Sequence, residues 1–285
     1  MTVTGGRTTA RTGAASTTRA PRPEDQGVDA RPTESPLLTV RDLRVVFRDR
    51  RGRENVAVDG FSADVTRGKH LAVVGESGSG KTVSMRALLH LLPGTARVTG
   101  QAVFDGEELL DRRPERMQSV RGRRIGMVFQ NPAQAFNPTL TLKRQLTEHL
   151  LWHRMCGPKE AVERAVEALD RVGIPDPARR IKLYPFQLSG GMLQRAMVAQ
   201  AIVAQPEILI ADEPTTAVDV TLQRQVLDLL LSLGDDGLSM VVITHDLGVA
   251  RYMCSDVIVM QNGSIVERGE MATFARDART DYARR

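Results

Sequence analysis

Residues 75–82 read Gly75-Glu76-Ser77-Gly78-Ser79-Gly80-Lys81-Thr82, and this octapeptide decides the fold. It fits the pattern G-x-x-x-x-G-K-[ST], a phosphate-binding loop. The apolar run His70-Leu71-Ala72-Val73-Val74 precedes it and a helical stretch from Val83 to Leu92 follows. That is the strand–loop–helix setting such a loop requires. Glycines let the backbone wrap a polyphosphate closely, because no Cβ intrudes. The first N–H groups of the following helix lack intrahelical partners and point at the anion. Lys81 adds a point charge near the β- and γ-phosphates, and the Thr82 hydroxyl suits a Mg²⁺ ion. Glu76, Ser77 and Ser79 complete the cradle.

Working outward, a chain of 285 residues, 41% hydrophobic and 26% charged, has the composition of a globular protein with one large core or two small ones. No apolar run reaches the ~18 residues needed to cross a bilayer. The expectation is a soluble chain that reaches a membrane only by docking onto other subunits. Cys156 and Cys254 lie far apart without Cys-x-x-Cys spacing, which points to a reducing compartment and to neither a zinc nor a disulfide framework. The net charge is +5, but it is spread along the chain. Lysine stands only at Lys69, Lys81, Lys143, Lys159 and Lys182, so most of the basic residues are arginine, a pattern of codon usage. No arginine–aromatic interleaving occurs, and no nucleic-acid partner is expected.

Residues 1–36 are rich in Thr, Ala, Arg, Pro and Gly, with almost no large apolar side chains. Such a segment buries too little surface to offset its ordering entropy, so it reads as a disordered tail. It has no apolar signal region, and its acidic residues argue against a transit peptide. From residue 37 to 285 the chain reads as one α/β domain. Leu38–Phe47 and Val56–Val65 are strands flanking a charged turn, a small antiparallel β layer. Ala102–Phe104 and Ile125–Phe129 are short strands. From Leu140 to Gly173 the period is helical, with Ala161, Val162, Ala165, Val166, Leu169 and Val172 recurring at three- and four-residue spacing and Gly173 suited to a helix end. The segment from about 138 to 190 is therefore a helical insertion. Ile208–Ala211 and Met240–Thr244 have the apolar character of buried parallel strands. Gln261-Asn262-Gly263 between two apolar runs signals a hairpin. Glu270–Arg285 is a short helix or a frayed end.

Further segments carry chemistry. Leu188-Ser189-Gly190-Gly191-Met192-Leu193-Gln194-Arg195 sets a Ser-Gly-Gly turn before a helical run, Met192 to Ala204, a second helix start able to face an anion. Ser189 also reads simply as a helix N-cap. Asp212 and Glu213 follow the strand Ile208–Ala211. Asp212 at a strand end suits Mg²⁺, and Glu213 can accept a proton from an attacking water. His149 and His153 are four apart on a helix, a spacing able to bind metal. The text between them lacks the His-Glu-x-x-His form, and they read as an ordinary helix face.

The phosphate loop, the Leu-Ser-Gly-Gly signature and the Asp-Glu pair, in this order, resemble the ATP-binding cassette ATPases. The resemblance covers roughly residues 37–275. It implies a RecA-like P-loop core with a small antiparallel β layer and an inserted helical subdomain, with ATP and Mg²⁺ as the nucleotide and its metal. It implies that Gln130 senses Mg²⁺ and the attacking water, and that His245 reaches the γ-phosphate and orients water and Glu213. It places Thr82, Gln130 and Asp212 around the metal and Phe47 against adenine, where tyrosine is usual; Phe47 also reads simply as a core phenylalanine. Ser189, Gly190 and Gly191 would meet the γ-phosphate held by a second cassette, and Asp219 would sit in the loop crossing the seam between the two. Met192 stands where the signature usually has glutamine.

That Met-Leu-Gln-Arg form, with Phe136-Asn137-Pro138 and Lys182-Leu183-Tyr184-Pro185-Phe186, is similar to the peptide and nickel importer branch. The branch implies a second ATPase subunit, two membrane permease subunits and, indirectly, an extracytoplasmic substrate-binding protein. It implies work at the cytoplasmic face of the membrane. Many oligopeptide and dipeptide members carry a C-terminal cysteine cluster holding an iron–sulfur centre. This sequence has none, which leans toward the nickel or metallophore type. An exporter ATPase and a soluble cassette acting on DNA or ribosomes are the competing expectations.

Overall fold

A computed structural model describes residues 35–49, 51–215 and 220–277. The N-terminal segment 1–34, the candidate residue Asp219 and residues 278–285 lie outside the described residues.

In chain order, β1 (Leu38–Arg48) and β2 (Glu54–Val65) form an antiparallel pair, and β3 (His70–Gly75) leads through the phosphate-binding loop to α1 (Lys81–Leu88). The expected helix Val83–Leu92 is thus displaced. It starts at Lys81 because Gly80, at φ 100°, turns the chain into it. It stops at Leu88, and His90 is left-handed at φ 52°. Leu89 is buried without being helical, so the apolar run outlasts the helix. β4 (Ala96–Phe104) and β5 (Glu107–Glu108) follow. β4 is longer than the three-residue strand expected. Its first half alternates only weakly, with Ala96 and Val98 half-buried between the exposed Arg97 and Thr99, and pairing with β1 along its length holds it as a strand. The antiparallel layer has the order β2-β1-β4-β5.

After α2 (Pro114–Met117) come β6 (Ile125–Val128), α3 (Pro132–Ala135), α4 (Leu142–Trp152), α5 (Pro158–Arg171), α6 (Pro177–Arg180) and a 3₁₀ turn at Pro185–Gln187. The helical run expected from Leu140 to Gly173 is two helices. Thr141 caps the first, accepting from the Arg144 N–H, and Pro158 opens the second. Gly173 ends α5 in the left-handed region at φ 72°, its N–H donating to Asp170 O at 2.7 Å. The chain closes with α7 (Gly190–Ile202), β7 (Ile208–Asp212), α8 (Val220–Asp235), β8 (Ser239–Thr244), α9 (Leu247–Met253), β9 (Asp256–Gln261), β10 (Ser264–Glu270) and α10 (Met271–Asp277).

The central sheet runs β10-β9-β3-β8-β7-β6, parallel from β9 to β6, with β10 antiparallel at one edge. Strands β9, β3, β8 and β7 are buried on both faces, which is why their sequences are continuous apolar runs, whereas the edge strand β10 is partly exposed. Side chains alternate between two cores. Leu71, Val73, Ile208, Ile210, Val241, Ile243 and Ile258 face Leu43, Val45, Phe61 and Phe104 of the antiparallel layer, with Met85 and Leu88 of α1. Ala72, Val74, Leu209, Ala211, Val242, Val257 and Val259 face the helices, through Leu146, Leu150, Leu169, Met197, Leu230 and Val249. This α/β arrangement brings the carboxyl ends of the parallel strands to one edge, where open α/β sheets bind ligands.

Candidate active site

β3 delivers Gly75 at its end, and α1 begins six residues on. Two glycines are required by contact as well as by conformation. A Cβ on Gly75 would overlap the carbonyl oxygen of Met260, at the end of β9. A Cβ on Gly80 would stand 2.6 Å from the carbonyl oxygen of Ala57 on β2. The β9–β10 turn braces the loop further. The Gly263 N–H donates to Ser79 O at 3.1 Å, and Gly263 O accepts from the Asp59 N–H at 2.8 Å. Ala57, Met260 and Gly263 thus shape the loop. The Asn-Gly hairpin signal foretold the turn but nothing local foretold what it touches.

Lys81 is buried, its Nζ donating to Gly75 O and Glu76 O at 2.8 Å each. Burial pulls the ammonium below the usual lysine range, opposed by the charges of Glu213 and Asp212. Glu76, Ser77 and Gly78 form the exposed rim of the loop. The Thr82 hydroxyl donates to Asp212 Oδ1 at 2.7 Å. Asp212 is 1% exposed. Burial raises its carboxyl above the usual range, while the Thr82 hydrogen bond and the Arg86 guanidinium, 3.8 Å from Oδ2, oppose the rise. A buried carboxylate beside a hydroxyl is an oxygen donor set that fits a hard dication.

Glu213 is left-handed at φ 47°, a conformation uncommon outside glycine and stored most often at functional positions. Its N–H donates to Ile243 O at 2.9 Å. The carboxylate accepts from Gln130 Nε2 at 2.7 Å and lies 3.5 Å from His245 Nδ1. These three come from the loops after β6, β7 and β8, which are neighbours in the sheet. Val128 pairs with Ala211, and Asp212 with Ile243, so the strand ends are level. The fold therefore brings together Gln130, Asp212, Glu213, His245, Lys81 and Thr82.

Other candidates are placed elsewhere in the fold. Ser189 caps α7, its hydroxyl accepting from the Met192 N–H at 3.3 Å, with Gly190 and Gly191 in the first turn. Phe47 lies on β1, half-buried against the core beneath the antiparallel layer. His149 and His153 meet edge to face on α4, ring centres 5.2 Å apart.

Residues 58–216 match the family described as ABC transporter. This chain belongs to that family. It is 45% identical over 252 residues to the peptidoglycan transport ATP-binding protein YejF of Agrobacterium fabrum, covering 87% of this chain and 46% of the relative. It is 43% identical over 249 residues to the oligopeptide transport ATP-binding protein OppD of Bacillus subtilis, covering 86% of this chain and 69% of the relative. Among solved structures, the dimeric post-hydrolysis state of the ATP-binding cassette MJ0796, bound to ADP and Pi, superposes with a TM-score of 0.72 at 26% identity. It covers 82% of this chain and 98% of that one. The chain is an ABC ATPase, the fold the phosphate-loop and signature motifs imply. No helix among the described residues is long and apolar enough to cross a membrane.

Proposed function

We propose that this chain is the ATP-hydrolysing subunit of a peptide importer, working as one of two paired cassettes beneath two membrane permease subunits. The observation that carries the catalytic part is the contact of Glu213 with both Gln130 and His245. The names of the relatives, oligopeptide transport among them, favour peptides over nickel as the cargo class. An extracytoplasmic binding protein would supply that cargo, and the cassette would act at the cytoplasmic face.

In this reading the loop from Gly75 to Thr82 binds the phosphates of ATP, with Lys81 offering its ammonium in place of the carbonyl contacts it now makes. Phe47 stacks on adenine. Thr82, Asp212 and Gln130 would hold Mg²⁺, which would neutralise phosphate charge. Glu213 takes the proton of the attacking water, and Gln130 and His245 fix the direction of its carboxylate. Ser189, Gly190 and Gly191 of one cassette face the γ-phosphate bound by the other, with Asp219 at the seam. Closure is favoured because ATP gains donors from both chains, a population shift driven by differential binding. Loss of the γ-phosphate removes those donors, and the pair reopens.

The test is capture of the Glu213→Gln variant from solubilised membranes in the presence of ATP. Recovery of two membrane subunits and a binding lipoprotein carrying peptide supports the proposal. A lipoprotein loaded with nickel or a metal chelate would change the cargo class. Recovery of only soluble chains or ribosomes would overturn the transport reading and leave the ATPase standing.

A further inference from the structure

Gln194 is a side chain that neither the phosphate loop nor the cluster around Glu213 uses. It lies on α7, five residues after Ser189, and is 1% exposed. Its Nε2 donates to the Pro214 carbonyl oxygen at 2.6 Å. Its Oε1 is buried with no hydrogen-bond partner among the described residues. A buried amide with an orphaned acceptor carries a desolvation penalty that an apolar side chain of the same volume would lack. Packing alone therefore does not account for glutamine here. Pro214 directly follows Glu213 and has no N–H, so its carbonyl is the only backbone group there that can be tied down.

We propose that Gln194 is a positioning residue for Glu213, linking the helix that starts at Ser189 to the peptide carrying the base. This rests on the reading of Glu213 as general base. Glu213 is left-handed, and such a conformation persists only where the surroundings over-determine it. Two bonds do so. The Glu213 N–H is held by Ile243 O on β8, and the carbonyl of the next residue is held by Gln194 on α7. The first anchor belongs to the core sheet that carries the phosphate loop. The second belongs to the helix whose first turn holds the signature. The direction of the Glu213 carboxylate thus depends on where α7 stands against the sheet. A shift of the signature helix is transmitted to the base through one hydrogen bond.

The test compares wild type, Gln194→Met, Gln194→Glu and Glu213→Gln in the full chain, reading ATPase kcat and KM, analogue binding and thermal melting. Gln194→Met keeps the volume and removes both the donor and the orphaned acceptor. It should melt no lower than wild type and keep KM within about twofold, while kcat falls at least about tenfold, a loss of roughly 1.4 kcal/mol of transition-state stabilisation. A kcat within twofold of wild type, with Glu213→Gln inactive, would overturn the positioning role alone. Parallel loss of kcat, binding and melting temperature would also overturn it, in favour of a purely structural role. Glu213→Gln turning over normally removes the base and this proposal together. Gln194→Glu keeps the test open should the methionine variant not fold. Its neutral carboxyl can donate to Pro214 O and its carboxylate cannot. Its kcat relative to wild type should fall as pH rises, and a flat ratio would overturn the proposal.

Discussion

The Thr82 hydroxyl donates to Asp212 Oδ1 at 2.7 Å, joining residues 130 positions apart. Each sits at the end of a buried strand or the start of the helix after it, and together they form the oxygen donor set on the floor of the site. Thr82→Val keeps the shape and removes the hydroxyl. A hydrogen bond to a charged group is worth about 1.5–3 kcal/mol, so the Mg²⁺ concentration for half-maximal hydrolysis should rise about tenfold or more. Thr82→Ser, which keeps the donor, should stay near wild type. A Mg²⁺ titration of ATPase rate checks both.

Glu213→Gln keeps a group that can still face Gln130 but has lost its basicity. Turnover should drop by about 10²–10⁴, the usual size of a general-base effect, and ATP should still bind. Single-turnover hydrolysis beside equilibrium nucleotide binding separates the two. Near wild-type hydrolysis would sink the assignment of Glu213 as base.

Gly75→Ala puts a methyl group onto the Met260 carbonyl, and Gly80→Ala brings one to 2.6 Å from Ala57 O. In both cases the obstacle is backbone, which cannot rotate away. Each variant should lose about 1–3 kcal/mol of stability, as overpacked sites do, and bind nucleotide more weakly. Gly78, with open space around its Cβ position, should tolerate alanine better in a thermal melt despite its positive φ. Equal losses at all three positions would count against the close-approach account.

His149 titrates below the usual histidine range, because it is buried and because His153 lies beside it. The folded chain therefore binds this proton less readily than the unfolded chain does. The stability contributed by this group is complete above the ordinary value of 6.5 and is lost as pH falls below it. His149→Gln should flatten that acid-side decline. Chemical denaturation of both proteins from neutral to mildly acidic pH measures it, and parallel curves would refute the assignment.

Cys254 is buried, and its thiol is pushed up to about 12, first by burial and then by Asp256. The thiolate is the reactive form. A native chain should therefore take up alkylating reagent at the half-exposed Cys156 and not at Cys254, and a denatured chain at both. Intact mass followed by peptide mapping reads the outcome.

Local sequence determined what local physics controls. The spacing of Gly80, Lys81 and Thr82 specifies a loop entering a helix, since glycine dihedrals and free N–H groups act within a few residues. The apolar runs at β3, β7 and β8 specify strands buried on both faces, and Asn262-Gly263 specifies a hairpin. Where tertiary contacts outweigh local pattern, the sequence misled. The apolar residues after Leu88 pack into the core without a helix, and β4 runs well beyond Ala102–Phe104 through its pairing with β1.

Tertiary structure decided the rest. It set β3 between β9 and β8, and β7 beside β6, and so chose which strand ends meet. It joined Gln130, Glu213 and His245, brought Met260 and Ala57 against the loop glycines, and tied Gln194 to Pro214. These are contacts between distant segments. They follow from strand order and register, which backbone hydrogen bonding and the burial of both sheet faces select for the whole chain at once, and no short window of sequence contains them.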